Sequence, residues 1–289
     1  KASGEMDNGY TWSYSMELDP ASGGAANNDD TQVVIGLNDM GTVKVCISEC
    51  GNNKKYAWDA SAYTKMTDTG FSEGIVYPGD AGAAGTATIQ YHTPELPFGT
   101  TASIAYNTQL AGDAASGNST GQTSTAQNSR EEYSVVTKPI DGLTLSAHYN
   151  KVADYDDGIT TEDQLEEGGA YGAKYSAGNL TIGYGKSFQA PELLSSSATG
   201  ASVEYYENTG YSIGYAVNDE LSVSYTREES EANQAHSSNT TYDIEMDSVQ
   251  FAYSLGGATL SVARADYENV NYKQNQDATE TIIAMTFAF

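Results

Sequence analysis

The densest run of chemically useful side chains is Asp154-x-Asp156-Asp157-Gly158, followed by Glu162, Asp163, Glu166 and Glu167. Carboxylates at that density are the material of a calcium loop. The run lacks the regular spacing of an EF-hand, so a solvated acidic loop is the better reading. Other reactive types do not converge. His92, His148 and His236 sit on separate segments and have no metal-ligand spacing. No Ser-His-Asp or Cys-His arrangement can be placed. Cys46 and Cys50 share one CISEC stretch. Four residues of regular strand span about 13 Å, so a bridge between them needs a sharp bend. With no nucleophile paired to a base, the residues argue against an enzyme.

The chemistry left to such a chain is electrostatic, and the charge balance is lopsided. In 289 residues, Asp and Glu number 39 against 13 Lys and Arg, for a formal charge of −26. Phosphate recognition needs the opposite sign, so nucleic acid is not a partner. Tyr outnumbers Phe 22 to 6, and there are 29 Gly. A chain poor in aliphatic and charged residues and rich in Tyr, Gly, Ser, Thr and Ala is neither a helical bundle nor an α/β enzyme. No apolar run approaches the roughly 20 residues of a spanning helix, whereas a membrane strand needs only about 10, with every second residue apolar. No signal peptide opens the sequence at Lys1, the expectation for a processed chain or a piece of a longer one.

Period-2 alternation places these residues on strands. Trp12, Tyr14, Met16 and Leu18 alternate with Thr11, Ser13, Ser15 and Glu17. The same pattern recurs at Val43-Val45-Ile47, Ile104-Tyr106, Leu143-Leu145-Ala147-Tyr149, Leu180-Ile182-Tyr184, Tyr211-Ile213-Tyr215, Val223-Tyr225, Val249-Phe251-Tyr253 and Ile283-Met285-Phe287-Phe289. One face of each strand is apolar or aromatic; the other is small or polar. Tyr on the apolar face suits a membrane–water interface, where the ring is sheltered and the hydroxyl stays wet.

Connections carry further information. Short ones such as Asp7-Asn8-Gly9, Asp39-Met40-Gly41, Ala177-Gly178-Asn179 and Gly256-Gly257 have tight-hairpin chemistry. Long ones fall near 20–30, 50–85, 109–130, 151–167, 190–202, 232–242 and 271–278, in strict alternation with the short. A meander with turns at one end and loops at the other is the pattern of a transmembrane up-and-down antiparallel β-barrel. About fifteen strands can be read. The first visible strand and the last run the same way, and an even count closes such a ring, so 16 strands are expected, with one preceding Lys1. The whole of 1–289 reads as a single all-β barrel domain.

The C-terminal Thr281-x-Ile283-x-Met285-x-Phe287-x-Phe289 pattern and the stretch SGEMDNG…WSYSMELD over Ser3–Asp19 resemble the Gram-negative general porins, especially the alphaproteobacterial kind. The resemblance implies a trimer of 16-stranded barrels in the bacterial outer membrane. It also implies a passive channel for ions and small hydrophilic solutes, needing no cofactor, with lipid and lipopolysaccharide around it. Met285, Phe287 and Phe289 would be read by the outer-membrane assembly machinery. The longest connection, 50–85, would fold into the lumen as the constriction loop, bringing Asp59, Asp68, Glu73 and Asp80 to the eyelet.

Family members set Arg clusters opposite these acids, but this chain has only Arg130, Arg227 and Arg264. By parity the lumen-facing basic or titratable candidates are Lys44, Lys174, His92 and His148. Arg227 belongs at the outer rim, and the parity of Arg264 is ambiguous. With a weak transverse field and −26 overall, cations are expected to be preferred. Acidic external loops offer a place for Ca2+ bridging to lipopolysaccharide. Small residues at Ala2, Gly4, Ala102 and Ala147 suggest the trimer face. The competing readings are a secreted soluble β-sandwich binding protein or adhesin, and a substrate-specific outer-membrane channel. A sugar channel would want aromatics on the lumen face, where few fall.

Overall fold

Asn8-Gly9 shows how this sequence reverses direction. Gly9 takes φ +82°, a conformation open to glycine, and the Asn8 carboxamide oxygen accepts a hydrogen bond from the Tyr10 N–H (3.1 Å). At Gly142 (φ +76°) a Cβ would collide with the Ser176 carbonyl oxygen of the neighbouring strand. Asn218 holds another turn, its side-chain oxygen accepting from the N–H groups of Glu220 (2.9 Å) and Leu221 (2.8 Å).

A computed structural model describes residues 1–20, 26–48, 56–68, 75, 88–107, 129–153, 162–164, 166–191, 193–194, 203–234 and 242–287. The strands are β1 (Ala2–Glu5), β2 (Thr11–Pro20), β3 (Ala26–Gly36), β4 (Thr42–Ser48), β5 (Thr88–His92), β6 (Thr101–Asn107), β7 (Ser129–Thr137), β8 (Leu143–Ala153), β9 (Glu162–Gln164), β10 (Glu167–Ala177), β11 (Leu180–Ala190), β12 (Leu193–Leu194), β13 (Val203–Ala216), β14 (Leu221–Gln234), β15 (Ile244–Ser254), β16 (Ala258–Glu268) and β17 (Ala278–Phe287). Fifteen form one sheet in chain order, and β9 and β12 pair separately as a small ribbon. Every pairing between named strands is antiparallel. The described helical turns are 3-10 turns of three residues, and no described helix is long and apolar enough to cross a membrane. β1 and β17 are the edge strands of the large sheet.

The short connections agree with the sequence reading, but one long one does not. β2 runs to Pro20 and β3 starts at Ala26, so the expected loop 20–30 is mostly strand. Its Asn- and Asp-rich sequence lacks apolar alternation, which hid the pairing.

Register gives the two faces opposite chemistry. Ile182, Ile213, Tyr225 and Val249 align across β11, β13, β14 and β15, all exposed. One residue along, Gly183, Ser212, Thr226 and Ser248 align on the other face. Tyr106, Phe251 and Phe287 are also exposed, on the outer face with Tyr14, so these aromatics do not form a dry centre. Met285 and Phe287 sit there too; Phe289 lies outside the described residues. Ala2, Gly4, Ala102 and Ala147 share the outer face by register.

Apolar outer surface gives way to charge at the long-loop end. Lys151 pairs with Glu131 (3.3 Å), Lys186 with Glu207 (2.6 Å) and Arg264 with Asp266 (2.9 Å). Arg227 holds Glu229 (2.9 Å), Glu245 (2.5 Å) and Asp247 (3.2 Å). Arg227 is thus at the rim as expected, and the register Val249↔Arg264 puts Arg264 on the outer face as well. Tyr133 and Tyr149 donate their hydroxyls to Glu131 (2.8 Å) and Glu167 (2.5 Å), joining the aromatic girdle to the charged rim.

The inner face departs from the expected small, polar lining at one place. Ile244 and Met246 of β15, Ala263, Ala265 and Tyr267 of β16 and Val270 form a buried apolar cluster. Met66 and Ile75, from the connection between β4 and β5, complete it. The inner wall turns greasy where a segment of chain covers it.

Candidate functional site

Residues 56–67 lie against the inner face of the sheet. Five backbone N–H groups in this segment find acceptors on the wall. Ala57 donates to Ser146 Oγ on β8 (2.7 Å), Ala60 to Ser212 Oγ on β13 (2.9 Å) and Ala62 to Ser224 Oγ on β14 (2.8 Å). Tyr63 (3.2 Å) and Thr64 (3.1 Å) both donate to Gln250 Oε1 on β15, and Gln250 Nε2 donates back to the Thr64 carbonyl (2.6 Å). Sheet order makes β8 to β15 five strand steps, about 24 Å, and seven extended residues cover about 23 Å. The segment therefore runs across the strands and keeps pace with them, and three serines and a glutamine on the wall take over the hydrogen bonding of its backbone.

Side chains lock the same path. Trp58 is 1% exposed, and its carbonyl oxygen occupies the space a Cβ at Gly183 would need. Burying about 200 Å² of indole is worth roughly 5 kcal/mol before ordering costs. Lys65 approaches the Trp58 ring (5.8 Å to its centroid) and pairs with Glu228 of β14 (3.6 Å). Thr67 donates to the same carboxylate (2.9 Å). Tyr56 stands edge-on to His148 (6.3 Å).

Burial pushes the Tyr56 hydroxyl pKa up, helped by the Glu228 charge and opposed by a hydrogen bond with Ser187. A raised folded-state pKa means stability that is fully present below the ordinary value of about 10 and lost as pH rises through the folded one. Proteolytic protection of the 56–67 segment should therefore weaken above pH ~10 in the native chain. Tyr56→Phe should flatten that dependence, and an unchanged alkaline loss in this variant would count against the assignment.

Of the residues singled out by sequence, Asp59 and Lys174 come together. Lys174 Nζ donates to the Asp59 carbonyl (3.3 Å), and the Asp59 carboxylate accepts from the Ser61 N–H (3.2 Å), Ser61 Oγ (2.8 Å) and Ser212 Oγ (3.4 Å). His148 faces inward on β8 beside Tyr56, at the start of the segment. His92 and Lys44 face inward on β5 and β4, and His92 Nε2 contacts Gln90 Oε1 (3.0 Å). Asp68 ends a 3-10 turn, its side chain outside the described residues, as are Glu73 and Asp80.

Most of the Asp154–Glu167 run also lies outside the described residues. Glu166 is buried, where it accepts from Gln189 (3.4 Å) and pairs with Arg130 (4.0 Å). Among the described residues no cluster of His, Cys, Asp and Glu is arranged to hold a metal. Cys46 is disulfide-bonded; Cys50, the only other cysteine, lies outside the described residues.

Sequence reasoning missed Trp58, Tyr56, Lys65, Glu132 and Glu228, and named Arg130 without placing it. Parity could have found the wall charges, since Glu228 alternates with Thr226 and Ser224, and Glu132 with Ser134. The loop residues carry no periodicity. Charges of both signs line the described inner side: Lys44, Lys65, Arg130 and Lys174 against Asp59, Glu132, Glu166, Glu228 and Glu280.

No family model and no curated protein matches the sequence. Solved structures do match. The anion-selective porin from Comamonas acidovorans superimposes with a TM-score of 0.61 at 12% identity, covering 99% of this chain and 87% of that one. Salmonella typhi OmpF, in complex with daunomycin, gives 0.61 at 16% identity over 99% and 88%. A mutant of the Rh. blastica porin gives 0.57 at 14% over 100% and 88%. The chain has the porin fold. In that fold the exposed apolar face is the outer one, and the segment 56–67 lies inside. Identity this low carries the architecture alone.

Proposed function

We propose that this chain is an outer-membrane porin of a Gram-negative bacterium, forming a water-filled channel for passive diffusion of ions and small hydrophilic solutes. The observation that carries the reading is the segment 56–67, spread across the inner wall from β8 to β15. A chain segment held inside an otherwise polar-lined barrel narrows a passage without closing it by bond chemistry, and pore width and lining charge are then the working parameters. In this reading 50–85 is the constriction loop of a single 1–289 barrel domain. Seven strand steps separate β4 from β13, about half the ring, so Lys44 looks across the lumen at the loop.

The channel prefers cations. The same fold serves an anion-selective porin in Comamonas acidovorans, so the sign must come from this chain's own charges. Charges of both signs on the inner side make the eyelet field weak, and the excess of acids elsewhere makes the approaches negative; low-dielectric walls concentrate that potential. The protein works as a homotrimer among outer-membrane lipids and lipopolysaccharide, delivered by the assembly machinery that reads its last strand. Ca2+ binds at the acidic external loops as a bridge to lipid, with no cofactor needed for diffusion.

Purified protein in a planar bilayer is expected to show single-channel steps and, under a salt gradient, a reversal potential on the cation side. Absence of any conductance would overturn the channel reading, and a reversal potential of zero or of the opposite sign the cation preference.

A further inference from the structure

One row of the inner wall carries no side chains over three strands, between Ser146 on β8 and Glu228 on β14. Gly172 pairs with Gly185, and Gly185 with Gly210, across β10, β11 and β13. The rows on either side hold Ser187 with Asn208 and Lys174 with Gly183 and Ser212. The three glycines make a bare slot in the backbone surface, and the segment 57–58 fills it. A Cβ at Gly185 would lie 2.5 Å from two indole atoms of Trp58 and 2.6 Å from the Tyr56 hydroxyl. A Cβ at Gly210 would fall among the atoms of the indole six-membered ring, and one at Gly172 would lie 2.8 Å from the Ala57 carbonyl oxygen. None of these glycines has a φ demanding glycine. Their reason is space alone.

We propose that the Gly172–Gly185–Gly210 slot is the depth stop that sets the aperture of the channel, with Trp58 as the positioning residue that seats in it. The inference rests on the channel reading above. The hydrogen bonds that the segment donates to Ser146, Ser212 and Ser224 fix its path along the wall, while the slot fixes how far it stands off. Each methyl group added to the slot moves the loop toward the lumen by what the indole needs to clear it.

The test is a cycle on Gly210 and Trp58. Gly210→Ala is expected to roughly halve single-channel conductance, since conductance follows the area of the narrowest point. Trp58→Ala should raise conductance, and Gly210→Ala in the Trp58→Ala background should do nothing further, because the clash partner is gone. Wild-type conductance in Gly210→Ala, or an equal loss in both backgrounds, would overturn the proposal. Gly185→Ala repeats the test should Gly210→Ala fail to fold. A second readout separates this inference from the channel reading. The chain has two tryptophans, so Trp12→Phe leaves Trp58 as sole reporter. Its emission should shift to the red when Gly210→Ala is added, even if no variant conducts. An unchanged spectrum means the indole does not sit in the slot.

Discussion

Ile213→Arg is expected to cost about 2–4 kcal/mol of folding stability in a bilayer, the range for a cation at the lipid-facing midplane of a barrel. Ile213 stands between Tyr211 and Tyr215 on β13 and is 45% exposed. Its cross-strand neighbours Ile182 and Tyr225 are exposed as well. In the channel reading this face meets lipid, so an arginine there gives up its water. Thr181→Arg, on the adjacent strand and the opposite face, should fall within about 0.5 kcal/mol of the native chain, as surface substitutions in water do. Unfolding in urea from lipid vesicles measures both. Equal costs would mean that the two faces see the same solvent, and the barrel would lose its inside and outside.

The second large effect is expected at Glu228, which is 2% exposed and bonds both Lys65 and Thr67. Breaking a buried pair by removing one partner costs about 3–5 kcal/mol when the other charge cannot escape. The Lys65 side chain keeps 11% of its surface exposed, so the low end of that range, about 3 kcal/mol, is the expected loss for Glu228→Ala. The loss should appear first as faster proteolysis of the segment 56–67, before the barrel itself unfolds. Glu228→Gln, which keeps an acceptor for Thr67, should lie between. A variant whose loop is as protected as the native one would show that the pair does not hold it.

The wall of this protein was readable because its physics is periodic. Tyr211, Ile213 and Tyr215 announce an outward face by spacing two, and Asn8-Gly9 or Ala177-Gly178-Asn179 announce where the strand must turn. Long-range register was not readable. Gly172, Gly185 and Gly210 are ordinary glycines in three separate strands, and only the pairing of β10, β11 and β13 sets them side by side. Trp58 reads as one aromatic in an aperiodic loop, since its partners on the wall, Gly183, Gly185 and Gly210, lie more than a hundred residues away. Asp59 was singled out as a loop acid free to face the lumen. Its carboxylate is absorbed by Ser61 and Ser212, a contact that parity alone does not reach. The inner apolar cluster on β15 and β16 escaped because Met246 and Tyr267 face inward at the long-loop end, where the outer parity had already turned charged.

The stretched segment 56–67 also constrains the order of events when the chain folds. Its anchors lie 89 residues away at Ser146, 152 at Ser212 and 187 at Gln250. None of these acceptors is in place until the strands that carry them have paired, and contacts of such separation are slow to form. The wall must be assembled through β15 before this strip of backbone has anywhere to dock. Pairing of the wall and docking of its crossbar are therefore linked, and the molecule reaches its working dimensions only when both are complete.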